Sequence, residues 1–111
     1  MKNIPWTKDE LIAYILLFAA HSDFKESKKE RDFIISKVNL DTFSDVHEEF
    51  DKDNDYQSIK KITSSLKQQQ FQQEDVELLL EDIKTLFFKD GKLETTEQMM
   101  YQSLKRLFKN L

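Results

Sequence analysis

Residues 7–20 read TKDELIAYILLFAA, and this stretch decides the fold. Thr7-Lys8-Asp9-Glu10 has the form of a capping box, in which the Thr7 hydroxyl accepts from the third helical amide and Glu10 reaches back to the Thr7 amide. Trp6 and Leu11 then take the two positions of a hydrophobic staple. A helix therefore starts here and is predicted to run to about His21. From Leu11 to Ala20 it is apolar on every side, which suits a central helix surrounded by others. The run is too short to cross a bilayer, which takes about 20 apolar residues. Asp9 and Glu10 beside Lys2 and Lys8 deny it the basic leader of a secretion signal.

The rest of the chain supplies helices to surround it. A second capping box, Ser27-Lys28-Lys29-Glu30, precedes Phe33, Ile34 and Val38. Phe43, Val46 and Phe50 follow at helical spacing and predict a short third helix. Asp53 or Asp55 is placed to cap a fourth, with Tyr56, Ile59, Ile62 and Leu66 as its apolar stripe. The Gln-rich segment Lys67–Gln73 reads as a polar connection. Val76, Leu79, Leu80, Ile83, Leu86 and Phe87 then mark a fifth helix, with Glu74 and Asp75 at its positive end and Lys89-Asp90-Gly91 as its stop. Met100, Leu104, Leu107 and Phe108 mark a sixth. The Met99-Met100 pair reads as core.

Composition agrees. There are 111 residues with one Gly and one Pro, too few for the tight turns of β-hairpins. One all-α domain spanning residues 1–111, a bundle of about six helices, is expected. The net charge is −4, with Lys and Arg scattered among the acids, so no phosphate-neutralising stripe forms and nucleic acid is not an expected partner. Cysteine is absent, which excludes thiol chemistry and Cys-based zinc sites and favours a reducing, cytoplasmic setting.

A shift of 67 positions lays the first two helices over the last two without a gap, so the fold is expected to contain a duplicated αα-hairpin. Glu10 meets Glu77, Leu11 meets Leu78, Leu16 meets Ile83, Asp23 meets Asp90, Glu30 meets Glu97 and Phe33 meets Met100. In each copy an Asp leaves the first helix and a Glu stands in the first turn of the second. If the hairpins pack about a pseudo-two-fold axis, Asp23, Glu30, Asp90 and Glu97 converge, with Glu26 and Glu94 at the rim. Oxygen ligands alone favour hard cations such as Mg²⁺, Mn²⁺ or Ca²⁺. The same residues also have a purely structural use, Asp in a turn and Glu in a capping box. In the second copy Glu94 replaces the capping Ser27, and the box Thr95-Thr96-Glu97-Gln98 is an alternative cap.

The segments from Ala19-Ala20-His21-Ser22-Asp23 to Glu30, and from Asp90-Gly91-Lys92 to Glu97, resemble the hairpins of the TerB-like family. That family includes tellurite-resistance TerB proteins and a domain of membrane-anchored DjlA co-chaperones. The second copy keeps the family's Asp-Gly and Glu; the first has Ser22 and Phe24 where the family has Ala and Gly. The resemblance implies a compact helical bundle with an acidic, metal-holding surface, a stress-associated role and no established enzymatic activity.

Other features carry less. Asp51-Lys52-Asp53-Asn54-Asp55 opens like an EF-hand calcium loop. Tyr56 stands where that loop needs Gly, and Ile62 where it needs the closing Glu. It is expected to be a solvated loop capping helix four. His21 and His47 have no second His at metal spacing; His21 is either a neighbour of the acidic site or a favourable helix C-terminal residue. No nucleophile elbow or phosphate loop occurs, so no catalytic residue is assigned. Phe24, in a turn, either folds back or contacts a partner protein. The expected function is a non-enzymatic binding module with a divalent cation at the duplicated acids. A metal-free protein-interaction adaptor is the alternative.

Overall fold

The computed structural model describes residues 6–21, 27–88 and 95–109. Among them lie six helices: α1 (Lys8–Ala20), α2 (Lys28–Lys37), α3 (Leu40–Lys52), α4 (Asp55–Gln68), α5 (Gln73–Phe87) and α6 (Thr95–Lys109). No strand occurs among the described residues, so the all-α expectation holds. The radius of gyration is 12.9 Å, close to the roughly 13 Å of a compact domain this long.

Helix α1 is the axis of the bundle. Leu11 and every residue from Ala13 to Ala20 are buried, and all five other helices pack on it. Its start is the capping box read from sequence: the Glu10 amide donates to Thr7 Oγ1 at 3.1 Å and the Thr7 amide to Glu10 Oε1 at 2.7 Å. Such a box satisfies two of the amide donors that a helix start leaves open.

The outer helices bury one stripe each. Helix α3 turns Phe43, Val46 and Phe50 inward. Helix α4 departs from its predicted stripe: Ser58, Ile62, Ser65 and Leu66 are buried, whereas Tyr56 and Ile59 are exposed. The inward face steps by four, three and one, and its two serines disguise it as polar. Met99, read as core, is likewise exposed, and Met100 is only partly buried.

The Gln-rich connection is shorter than predicted. Helix α4 continues through Gln68 and α5 starts at Gln73. The turn between them is a Schellman motif, with the Phe71 amide donating to Leu66 O at 3.4 Å and the Gln70 amide to Lys67 O at 3.3 Å. That motif puts Gln70 at φ 51°, a left-handed conformation normally given to Gly. Phe71 then packs against the core, the apolar contact that usually accompanies the motif.

Candidate functional site

The inner bounds of the two hairpins match under the shift of 67, which carries the end of α1, Ala20, onto the end of α5, Phe87, and the start of α2, Lys28, onto the start of α6, Thr95. The outer bounds do not, since Lys8 falls on Asp75, inside α5, and Lys37 on Leu104, inside α6. Lys8 Nζ and Asp75 Oδ1, an equivalent pair 67 residues apart, meet at 2.8 Å. The Asp75 carboxyl is held below its usual range by that bond, and by the Gln72 amide, which donates to it at 3.0 Å.

Of the acids predicted to form a site, Glu30 and Glu97 are described, and both are buried. Asp23, Asp90, the rim residues Glu26 and Glu94, and Phe24 lie outside the described residues. Glu30 stands third in α2 and closes the box with Ser27, accepting from the Ser27 amide at 2.9 Å while its own amide donates to Ser27 Oγ at 3.1 Å. One of its oxygens is thus engaged in a cap. Glu97 stands third in α6, which begins at Thr95; the residue before it, Glu94, lies outside the described residues. No group of three or more acidic or histidine side chains is placed to hold a cation among the described residues.

The segment resembling a calcium loop is mostly helical, with only Asp53 and Asn54 connecting α3 to α4. Asp51 and Lys52 belong to α3, and Asp55 opens α4. The cap of α4 is Asn54 rather than Asp53 or Asp55, its Oδ1 accepting from the Gln57 amide at 2.8 Å. Asp53 instead anchors a polar network that ties the α3–α4 corner to α1. Tyr14 donates to Asp53 Oδ2 at 2.6 Å and lies 2.9 Å from Ser58 Oγ. Lys61 Nζ reaches both Asp53 Oδ2 and Glu49 Oε2 at 2.8 Å, and Trp6 Nε1 donates to Glu49 Oε1 at 3.2 Å.

Charge and burial shape this network. Burial, then the hydrogen bond to Asp53 and the nearby carboxylates, pushes the Tyr14 phenol far above its ordinary range. For Lys61, burial works against the ammonium, but the hydrogen bonds and charges of Asp53 and Glu49 outweigh it and hold its pKa above the ordinary lysine value. A partly buried carboxylate with both a phenol and an ammonium on it is a fastening.

Beside this corner the surface opens. Helices α4 and α6 both pack on α1 without packing closely on each other. Between them runs a groove of about 460 Å³, floored by Phe18 and Leu104 and walled by Ile59, Met99, Met100 and Leu107. Ile59 is 42% exposed and Met99 66%. At Phe18, Asp55 and Met100 the groove continues into a second cavity, lined also by His21, Phe50, Asp51 and Asp53. His21 caps the end of α1, its ring 4.9 Å from that of Phe50. Asp51 lies 3.1 Å from His47 Nδ1. Only one signal in the sequence pointed to this face: two adjacent methionines, of which a helix normally buries one.

No family model matches the sequence, and neither the curated proteins nor the solved structures give a match.

Proposed function

We propose that the protein is a non-enzymatic binding module that docks a partner protein along the face between α4 and α6. One observation carries this reading: a mainly apolar groove lies between α4 and α6, with Ile59 and Met99 exposed along it. Exposed apolar surface of this kind, flanked by polar residues, is characteristic of interaction sites. Methionine side chains there add adaptability, since an unbranched thioether repacks against varied shapes. The Tyr14–Asp53–Lys61 network is committed to holding the corner beside the groove, a scaffolding role that suits a rigid docking surface.

A photo-crosslinking residue at Ser103, which lines the groove, tests the reading in cells. A discrete protein adduct at Ser103, missing when the probe stands at exposed Leu40 instead, is expected. Equal labelling from both positions, or no adduct at Ser103, would sink it.

A second reading has its own observation: Glu30 and Glu97 are both buried and both third in their helices. On this reading the hairpins are copies of one unit, and the chain is a TerB-like, stress-associated module in which Asp23 and Asp90 join the two glutamates around Mg²⁺, Mn²⁺ or Ca²⁺. A bound cation stabilises by linkage, about 2.7 kcal/mol at 100 Kd. Melting curves in the three cations against a salt-matched control decide the matter. A cation-specific rise, reduced more by Asp90→Asn than by Asp23→Asn, supports the site; three unchanged midpoints dispose of it.

A further inference from the structure

Which partner fits the groove follows from what its walls can and cannot offer. Both walls are α-helices, whose backbone N–H and C=O groups are bonded within the helix. A docked segment therefore finds side-chain contacts but no free strand edge to pair with, so a segment that already carries its own backbone hydrogen bonds loses least on docking. An α-helix does so, and helix-in-groove binding is the corresponding mode of recognition. The groove residues on α6 run from Thr96 to Leu107, three turns or about 16 Å at 1.5 Å per residue. The occupant is accordingly a helix of about three turns, with apolar anchors at i, i+3 or i+4, and i+7.

Charge orients it. Among the groove's lining residues the one charged side chain is Asp55, which makes no ion pair among the described residues. Asp55 also borders the adjoining cavity, where Asp51 and Asp53 bring further negative charge. Asp53 has Lys61 at 2.8 Å, whereas Asp51 has only the His47 imidazole at 3.1 Å, a charge pair only when that ring is protonated. Asp55, exposed in the first turn of α4, is the carboxylate that borders the groove without an ion pair among the described residues. Resting on the docking reading above, we infer that the groove binds an amphipathic partner helix of about three turns that carries a Lys or Arg at one end, set against Asp55.

Selection from a displayed library of 16-residue helical peptides tests this on the full-length protein. Recovered peptides should share the apolar spacing and a basic residue in one terminal turn. Met99→Lys should weaken a recovered peptide about tenfold or more, as expected where a charge enters an apolar contact. Asp55→Lys should weaken it about tenfold and restore binding to the same peptide with Glu in place of its basic residue, the signature of a charge pair. Both substitutions fall on exposed positions, and a melting curve for each confirms folding. Peptides that need Met99 but show no basic preference and ignore Asp55→Lys overturn the inference while leaving the docking site. Peptides indifferent to Met99→Lys, or no recovered peptide at all, overturn both.

Discussion

The two hairpins that a shift of 67 aligns differ in what covers them. Helix α1 is enclosed by five neighbours, while α5 packs on α1, α2 and α6 and keeps one flank in solvent. The difference shows at a pair of leucines that the shift aligns: Leu11 is fully buried, and Leu78 is 66% exposed. What separates them is the α3–α4 insert, which packs on α1 and is fastened there by Tyr14, Asp53 and Lys61. Similar local sequence thus makes a core in one place and a surface in the other, because burial depends on what folds over a helix as much as on its own stripe.

The largest expected effect lies at that pair. Leu11→Ala should destabilise the fold by about 2–5 kcal/mol, the range for truncating a buried leucine. Leu78→Ala should stay within about 0.5 kcal/mol, as surface changes do. Urea unfolding of both variants checks this, and equal losses would break the distinction between the hairpins.

Next in size is the fastening of the insert. Tyr14→Phe removes the hydroxyl from Asp53 and Ser58 and should lower stability by about 1–3 kcal/mol, the penalty for stripping partners from buried polar groups. The matching position in α5, Glu81, is exposed, and Glu81→Gln should change little. The network also sets a pH limit. Tyr14 and Lys61 both bind their protons more tightly in the folded chain than their ordinary values allow. Their contribution is complete below about pH 10, near the unfolded values of both groups, and is lost as pH rises through the folded ones. Denaturation midpoints measured between pH 9 and 11 should fall less steeply in a Tyr14→Phe/Lys61→Met variant than in the wild type.

A smaller gain is expected at the joint between the insert and the second hairpin. Gln70→Gly relieves a left-handed residue at φ 51° and should stabilise the fold by about 1 kcal/mol, the left-handed penalty less the added freedom of glycine in the unfolded chain. A destabilised variant would show that the Gln70 side chain contributes more than its backbone strain removes.

How much of this was legible follows the same division. The all-round apolar run from Leu11 to Ala20 announced a central helix, and the boxes at Thr7 and Ser27 formed as read. The register of Glu30 and Glu97 was also visible, because a shift of 67 needs no structure. The inward face of α4 was hidden by Ser58 and Ser65, polar residues that are buried there. The turn at Gln70 carried no glycine to mark it. Beyond the adjacent methionines nothing marked the groove, because it arises from two helices failing to meet over Phe18, and no local pattern encodes that gap.

The most direct test of the docking face is the photo-adduct at Ser103 in an Ile59→Lys/Met99→Lys variant. Both residues are exposed, so the variant should melt within roughly 4–8 °C of the wild type, given about 0.5 kcal/mol for each change. Its adduct should be lost. A variant that folds and still forms the adduct at wild-type yield would contradict the proposal that a partner docks between α4 and α6.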